Sequence, residues 1–348
     1  MNPNPRPTRQ GAKGGPAERP AGEKGKRPKL VIQIPCYNEA DTIARTIAEL
    51  PSDLSPFSKV EVLVIDDGST DGTAEVATRH GAHRVVSIPQ NRGLAKAFAA
   101  GIDSALASGA DLIVQTDADG QYRGADIGSL VAPILAGRAD MVIGDRRVET
   151  LGWWPRHKRW LSSAGSWVVR RASGTDVRDA ASGFRAYSRD AALRVRVQSR
   201  FSYTLESLIH AGWAGIRVAS VPVRARATQR PSRLYRTLPG YVLRSGATIA
   251  RAYVRYHAPG VFLVLGGGLG LIGAGLVLVH PAAALAASLA ALVAVAGAAI
   301  ADVAATSLRM NDDARSREKG RRFAGERMGA SRVEGVESSA VAPFRAVR

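Results

Sequence analysis

The chain has 348 residues, 45% of them hydrophobic, which is long enough for one large domain with appended segments or for two ordinary domains. Its formal net charge of +18 predicts an anionic partner: a nucleic acid, an anionic membrane surface or a phosphorylated substrate. The single cysteine, Cys36, excludes an intrachain disulfide framework and a cysteine-ligated zinc cluster, and it fits a reducing compartment.

The first 28 residues are rich in Pro, Gly, Arg and Lys and offer almost nothing apolar to bury. This composition predicts a disordered basic tail over residues 1–28. The stretch also lacks the apolar core of a secretory signal peptide, so we expect none there.

From Leu30 onward, short apolar runs alternate with stretches whose apolar residues have helical spacing. The predicted strands are 30–34, 60–65, 84–88, 112–116 and 141–143, and the predicted helices are 39–50, 73–80, 94–107 and 127–135. Continuous apolar strands that alternate with helices are typical of a mostly parallel sheet with helices on both faces. We therefore predict an α/β domain over residues 29–226.

The segment that follows is basic. Residues 217–258 contain nine arginines and four tyrosines but no Asp or Glu. This pattern favours a basic amphipathic helical segment at an anionic interface over residues 227–260, with a solvated basic helix as the alternative.

Two uncharged apolar runs come next, 19 residues at 261–279 and 20 residues at 282–301. At about 1.5 Å per residue, each helix would reach roughly 30 Å, the thickness of a bilayer core. The runs predict a transmembrane hairpin within residues 261–308, with a buried hairpin of a soluble domain as the alternative. Arginines flank the pair on both outer sides and are absent from the link between the runs, which predicts that both ends face the cytoplasm. Residues 309–348 read as a disordered polar tail.

The first polar motif, Pro-Cys-Tyr-Asn-Glu at 35–39, follows the first predicted strand. Ligands of open α/β sheets bind outside such strand ends. Tyr37 could stack on a base or donate a hydrogen bond, and Glu39 could accept one from a ribose or a base. Asn38 or Asp41 could instead cap the next helix.

The second motif, Asp-Asp-Gly-Ser-Thr-Asp-Gly-Thr at 66–73, follows the second predicted strand. Adjacent acids repel each other unless a ligand or a donor offsets the cost. Asp67 is better placed for a nucleoside, whereas Asp71 reads as a helix cap and Gly68 permits a tight turn. The glycine fingerprint of dinucleotide-binding folds is absent, so a dinucleotide site is not expected.

The third motif, Thr-Asp-Ala-Asp-Gly-Gln at 116–121, follows the fourth predicted strand. In an extended segment Asp117 and Asp119 point the same way, and Gln121 continues that side. Two carboxylates so placed can bridge a hard cation that also holds a diphosphate, so Mg²⁺ or Mn²⁺ is the expected cofactor. An acidic surface loop is the alternative.

Together these motifs resemble family 2 glycosyltransferases with the GT-A fold, and more narrowly the dolichol-phosphate mannose synthase-like branch, the polyprenyl-phosphate sugar synthases. The resemblance spans residues 29–233. It implies a nucleoside pocket lined by Pro35, Tyr37, Glu39, Ile65 and Asp67, with nucleotide contacts from Asp117 and Ala118. It also implies a metal held by Asp119 and Gln121, and phosphate contacts from Arg146 and Arg233, so that Asp119, Arg146 and Arg233 would be catalytic. The family usually has Lys at the position of Arg233, and either Arg226 or Arg230 could match a second family arginine.

Two further segments each have two possible structural roles. The Ser-Gly-Phe-Arg stretch at 182–185 would shape the acceptor side in this family, or form a strand packed under the site. The stretch 153–171 combines four tryptophans with basic residues, which suits either a helix at a membrane interface or a helix packed on the sheet.

The resemblance implies an inverting glycosyltransferase, and the predicted hairpin with its flanking arginines places it as a multi-pass membrane protein with the catalytic domain on the cytoplasmic face. The expected substrates are a GDP- or UDP-linked sugar and a polyprenyl phosphate. Because a phosphate acceptor is already largely ionised at pH 7, it needs no strong base, and Glu206 is only a modest base candidate. The Gln-x-x-Arg-Trp motif of processive synthases is absent, since Arg156 stands where Gln would be.

The sequence also leaves three alternative functions. A membrane glycosyltransferase could act on a hydroxyl of a diacylglycerol or a glycan, and an inactive homologue could serve as a scaffold in glycan assembly. Nucleic-acid binding is disfavoured, because the basic residues lie in the tails and beside the apolar hairpin and no nucleic-acid motif is visible.

Overall fold

A computed structural model describes residues 27–198, 202–228, 238–277 and 279–339. The strands are β1 Lys29–Cys36, β2 Lys59–Asp66, β3 Arg84–Ser87, β4 Leu112–Gln115, β5 Met141–Asp145, β6 Arg185–Ser188 and β7 Val218–Pro222. The helices are α1 Ala40–Ala48, α2 Thr73–Arg79, α3 Leu94–Ala107, α4 Ile127–Leu135, α5 Arg156–Ser173, α6 Arg189–Arg194, α7 Tyr203–Trp213, α8 Leu238–Leu276 and α9 Pro281–Ser339. Every strand and helix predicted between residues 29 and 145 is present, with ends that differ by a few residues at most.

The strands form one sheet in the order β3-β2-β1-β4-β6-β5-β7. Neighbours pair in parallel except β6, which runs antiparallel between β4 and β5. The prediction of a mostly parallel α/β sheet is confirmed. Because β1, β2, β4 and β5 run the same way, their carboxyl ends meet at one edge of the sheet.

Helices cover both faces of this sheet, which explains why its strands are apolar without interruption. Along β2, Leu63 and Ile65 face the core cluster that contains α3 and α7. Val62 and Val64 point the other way, toward α1 and α2. The alternation of strand side chains therefore fills two cores from one short segment.

The two longest helices carry the apolar runs. Within the described residues, Pro239–Leu276 and Pro281–Ala324 are long and apolar enough to cross a membrane, judged by length and composition. They pack against each other through small residues: a Cβ added at Gly273 would lie 2.9 Å from Ser288 Oγ. Close approach through glycine is the usual way in which membrane helices associate.

A kink separates the basic part of α8 from its apolar run. His257 has non-helical dihedral angles, φ −125° and ψ 19°, two residues before Pro259. Proline supplies no N–H to the preceding turn and its ring crowds the carbonyl four residues earlier, so Pro259 accounts for the kink.

The structure corrects the prediction of a disordered tail for residues 309–339, whereas residues 340–348 lie outside the described residues. Helix α9 continues to Ser339, and its polar part folds back onto the α/β domain. Phe323 is 3% exposed in the core cluster of α3 and α7, and Asp312 lies 3.6 Å from the Arg196 guanidinium. Composition predicted disorder because it averages over the segment, whereas one buried ring and a few ion pairs hold it in place.

Candidate active site

A cavity of about 1620 Å³ opens at the edge of the sheet where the strands end. Its wall includes nine of the eleven residues predicted for the site, namely Pro35, Tyr37, Glu39, Asp67, Asp117, Ala118, Asp119, Gln121 and Arg146. Pockets for single drug-sized ligands span about 300–1,000 Å³, so this volume can accept two substrates at once. The strand-end motifs are thus brought together as predicted.

Of the remaining two predicted residues, Arg233 lies outside the described residues, and so does Arg230. The prediction for Ile65 is wrong as regards its side chain, which is fully buried in the core against α3. The physical reason is position along β2: Ile65 lies within the strand, on the face covered by α3, whereas the cavity begins beyond the strand end, at Asp67.

The first two motifs are tied together by hydrogen bonds. Asn38 accepts a bond from the Thr70 amide at 2.8 Å through Oδ1, and its own amide donates to Ser69 Oγ at 2.8 Å. Asp71 accepts from the amides of Ala40 and Thr73, both at 3.1 Å. Since these amides begin α1 and α2, Asp71 satisfies helix N-termini as the sequence predicted, although the N-cap positions themselves are Glu39 and Gly72.

Asp67 holds a loop that sequence analysis did not single out. Its two carboxylate oxygens accept from the amides of Arg92 and Gly93, at 2.9 and 2.7 Å. The loop also packs tightly on Gly68, where φ is +76° and an added Cβ would lie 2.8 Å from the Asn91 amide nitrogen. Asp67 and Gly68 therefore fix one wall of the cavity at the end expected for the nucleoside.

Asp117 and Asp119 form the acidic part of the cavity. Burial, followed by the charge of Asp119, raises the pKa of Asp117 to about 7, against the opposing effect of Arg146 and Arg185. Burial also raises the pKa of Asp119, although its Oδ1 accepts from the Gln121 amide at 3.1 Å. Two carboxylates that disfavour each other's charge are stabilised by a cation placed between them.

These residues fit a divalent metal. Mg²⁺ typically takes one or two protein carboxylates and completes its shell with substrate phosphates and water. Across the described ranges no group of three His, Cys, Asp or Glu side chains could hold a metal, so the diphosphate would have to supply further ligands. Gln121 Oε1, the other predicted ligand, accepts from Arg146 Nη1 at 3.1 Å, which orients the amide oxygen and uses one of its lone pairs.

Arg146 is held by a buried carboxylate, Asp179. Its Nε and Nη2 donate to the two oxygens of Asp179, at 2.7 and 2.9 Å, and Asp179 is fully buried. Burial alone would lower the pKa of Arg146, but Asp179 more than reverses the effect and raises it above its usual value. Sequence analysis missed Asp179, which follows no predicted strand and lies 33 residues from its partner.

Two cationic side chains, Arg146 and Lys158 of α5, lie against the same aromatic ring. The guanidinium of Arg146 lies 5.4 Å from the ring centroid of Trp154, and the ammonium of Lys158 lies 4.6 Å from the same centroid. Both distances are within the range of cation–π attraction. Trp154 and Lys158 also line the cavity, so they belong to the site rather than only to the helix packing.

The Ser-Gly-Phe-Arg stretch lies beneath the acidic pair. Arg185 is fully buried and donates to the carbonyls of Ser182 and Ala180 and to Ser207 Oγ, each at 2.8 Å. Gly183 backs onto the acidic pair: an added Cβ would lie 2.6 Å from an Asp117 oxygen. The stretch is therefore packed under the site, as one of the two interpretations predicted, although only Arg185 belongs to a strand, β6; its part on the acceptor side stays a prediction.

Two other candidates lie away from the cavity wall. Glu206 is 5% exposed and accepts from the Gln198 amide at 3.1 Å, so the modest base candidate has a role in packing. Arg226 Nη1 donates to both carboxylate oxygens of Glu49, at 2.7 and 2.8 Å. This ion pair fixes the segment of the chain that follows β7.

Comparison with known proteins agrees with this arrangement. Residues 31–196 match the model of the family Glycosyl transferase family 2. The undecaprenyl-phosphate mannosyltransferase of Micrococcus luteus is 32% identical over 56% of this chain and 82% of its own length. The polyprenol monophosphomannose synthase of Mycolicibacterium smegmatis is 30% identical over 60% of this chain and 81% of its own length.

A solved structure has the same fold. Glucosyl-3-phosphoglycerate synthase from Mycobacterium tuberculosis, in complex with Mn²⁺, UDP-glucose and phosphoglyceric acid, superposes with a TM-score of 0.52. The match has 22% identity and covers 65% of this chain and 80% of that one. The chain is thus an enzyme that belongs to glycosyltransferase family 2, with polyprenyl-phosphate sugar synthases among its relatives.

Proposed function

We propose that the chain is a membrane-anchored, inverting glycosyltransferase that moves one sugar from a GDP- or UDP-linked donor to a polyprenyl phosphate. One observation carries the proposal: a single cavity joins the acidic strand ends to a cationic groove with apolar walls between α5 and α8. The first part suits a nucleotide-sugar and the second suits a lipid phosphate.

The donor end is built from the three strand-end motifs. Tyr37 and Asp67 line the part expected to receive the nucleoside, and Asp117 and Asp119 lie beside the expected diphosphate. A divalent cation held by Asp119, with Gln121 beside it, would neutralise charge on the departing diphosphate. The Mn²⁺ and UDP-glucose bound in the mycobacterial synthase support a metal and a nucleotide-sugar in this fold.

The acceptor end has the chemistry of a phosphorylated lipid. Leu161 and Val168 of α5 face Val242 and Ile249 of α8 across the groove, which gives apolar walls for an isoprenoid chain. Lys158 lies at its inner end, next to the expected donor phosphates. The names of two relatives, which contain undecaprenyl phosphate and polyprenol monophosphomannose, support the same acceptor class.

In the proposed reaction an oxygen of the lipid phosphate attacks the anomeric carbon from the face opposite the diphosphate. The new carbon–oxygen bond forms as the bond to the diphosphate breaks, so the configuration inverts. Like charges a few ångströms apart repel by roughly 4 kcal/mol at an effective dielectric of about 20, so acceptor and donor phosphates need cations between them. Arg146 and Lys158 supply two, and Arg233 is proposed as a third.

No strong general base is needed, because a phosphate monoester has its second pKa at about 6 and is already largely ionised at pH 7. Glu206 is buried in packing contacts and off the cavity wall, which supports an acceptor that needs no deprotonation.

The proposed location is a membrane, with both ends of the α8–α9 hairpin on the cytoplasmic side. The support is the pair of long apolar helices together with the basic residues that flank them. Deleting residues 261–348 should release the protein from membranes more readily, although the basic segment will retain some of it at low salt. The deletion also removes Phe323 from the core, so the release is compared with that of Phe323→Ala, which keeps the hairpin. A full-length protein that is soluble without detergent would contradict the hairpin.

The decisive experiment is reconstitution of the full chain with a panel of nucleotide-sugars and three lipids: undecaprenyl phosphate, undecaprenol and diacylglycerol. Mass spectrometry of the lipids should show one sugar added to the phosphate alone. Arg146→Ala and Arg233→Ala should lose most of the activity, and Glu206→Gln should keep much of it. Sugar on a lipid without phosphate, or an inactive Glu206→Gln that still binds donor, would favour a hydroxyl acceptor. Donor binding without any turnover would favour a scaffold.

A further inference from the structure

The polar part of α9 is attached to the α/β domain by contacts that the proposed function does not use. Its residues 309–323 are here called the strap. Lys319 Nζ lies 2.5 Å from Asp103 Oδ1 on α3, and Phe323 is buried among residues of α3 and α7. The family match covers residues 31–196, so the strap lies outside the part of the chain that matches the family. Its contacts therefore belong to this chain rather than to the shared catalytic domain.

The strap meets α7 through charge. Asp312 Oδ2 lies 3.8 Å from His210 Nε2 on α7, and Asp312 Oδ1 lies 3.6 Å from Arg196 Nε. Within the part of the chain that the structure describes, neither ring nitrogen of His210 has a hydrogen-bond partner, and Arg196 Nε has none either. Buried polar atoms without hydrogen bonds cost free energy, and the nearby charge of Asp312 offsets part of that cost. Removing this charge should therefore loosen the attachment of α9 to α7.

The other end of α7 supports the acidic pair. The ring of Tyr203 stacks on Phe98 of α3 with 4.2 Å between centroids, and its hydroxyl donates to the Gly183 carbonyl at 3.1 Å. The Gly183 amide in turn donates to the Tyr122 hydroxyl at 3.0 Å. Both backbone groups of Gly183 are thus held by tyrosine hydroxyls, directly behind Asp117, whose carboxylate would lie 2.6 Å from an added Cβ. A displacement of Tyr203 would therefore disturb the support of Asp117.

Helix α7 joins these two sets of contacts. Tyr203 and His210 are seven residues apart, so they lie on one face of the helix, about 10 Å apart along its axis. Both are buried, at 0% and 1% exposure. Packed helices shift as rigid elements, so a change in the position of α7 at His210 also reaches Tyr203.

We infer that the strap is a positioning element of the active site: it holds α7 at His210, and α7 in turn holds Gly183 behind the acidic pair. Asp312 is then a positioning residue, which acts on Asp117 through α7 and contacts no substrate. The inference rests on the proposed function for the metal and donor that the acidic pair would bind. Because α9 is continuous from Pro281, its apolar run and the strap are one helix, so the hairpin also contributes to the geometry of the site.

Hydrogen–deuterium exchange of the full chain in detergent micelles tests this route. Asp312→Asn keeps the size of the side chain and removes its charge. It should speed exchange of the amides at 116–121 and 182–185 by about 2- to 30-fold, the range expected for coupling through packed elements. Asp313→Asn is the matched control, because Asp313 is adjacent and exposed, and it should leave these rates unchanged. Exchange of β1 should stay the same in both variants, which separates local displacement from a general loss of stability.

Two further readouts separate positioning from a merely structural role. Asp312→Asn should raise the Mn²⁺ concentration needed for half-maximal activity by a similar factor, and it should add little to these effects in a Tyr203→Phe background, because both changes act through Gly183.

Unchanged exchange at 116–121 and 182–185 would overturn the inference, as would an equal rise in β1. So would faster exchange with an unchanged Mn²⁺ requirement, or fully additive effects of Asp312→Asn and Tyr203→Phe. The expected exchange pattern in a protein that transfers no sugar would support the role of the strap and contradict the proposed function alone.

Discussion

Replacing Asp179 by Asn tests whether the buried pair with Arg146 organises the site. The change keeps the size of the side chain and removes the charge that faces the guanidinium at 2.7 and 2.9 Å. Asp179 is fully buried and Arg146 is 8% exposed, so water compensates little for the lost charge. Removing one partner of a buried ion pair costs about 3–5 kcal/mol, because the other charge is left uncompensated.

For a domain of about 150–250 residues, each kcal/mol lost from the free energy of unfolding lowers the melting temperature by roughly 2–4 °C. Asp179→Asn should therefore lower the melting temperature by roughly 6–20 °C. The same change should raise the metal concentration needed for half-maximal activity, because Arg146 orients the amide oxygen of Gln121. Thermal unfolding in detergent micelles measures the first effect, and Mn²⁺ titration of activity measures the second.

Asp176→Asn is the matched control, since Asp176 is 92% exposed and its carboxylate lies 3.8 Å from Arg170. That change should leave stability and metal dependence as they are, because exposed ion pairs contribute little. The double variant Asp179→Asn/Arg146→Met should recover part of the stability by removing the orphaned charge, but not the activity. An Asp179→Asn protein as stable and as active as Asp176→Asn would refute the assigned role.

Three further predictions follow from the site and from α9. Asp119→Ala should abolish transfer without unfolding the protein, and EDTA should have the same effect on wild type; full activity in a verified metal-free sample would contradict the metal. Because the pKa of Asp117 is raised from 3.8 to about 7, the folded chain retains a proton that the unfolded chain releases, so the metal-free protein should lose stability as pH rises between those values. Added Mn²⁺ should therefore raise the melting temperature more above this range than below it, and an equal shift at both ends would exclude the carboxylate pair as the binding site. Phe323→Ala should lower the free energy of unfolding by about 3–5 kcal/mol, measured by urea unfolding, because its ring is 3% exposed in the core; a change within error would mean that the polar part of α9 does not dock.

Sequence reasoning located the site because parallel strands bring distant motifs to one edge. The segments that contain Tyr37, Asp67 and Asp119 are far apart in the chain, yet each follows a predicted strand, and the cavity joins them. The sequence could not predict tertiary contacts that leave no local pattern in the chain. Asp179 is one acid in an irregular segment, and nothing near it in sequence indicates a partner at Arg146. Likewise, one phenylalanine in a polar stretch gave no signal that α9 docks on the domain.

The distribution of charge argues for the proposed acceptor more strongly than the total of +18 does. An enzyme that transfers sugar to a neutral hydroxyl must neutralise one diphosphate and must place a base near the acceptor. This site instead extends its cations beyond the acidic pair, from Arg146 across Trp154 to Lys158 and then along the groove to Arg171 and Arg244, while the one modest base candidate is packed away from the cavity. Cations that continue past the donor end would stabilise a second phosphate that approaches from that side, as proposed. The groove from which it would approach has apolar walls and leads to the helices that carry the apolar runs, so the second phosphate is best explained as the headgroup of a lipid.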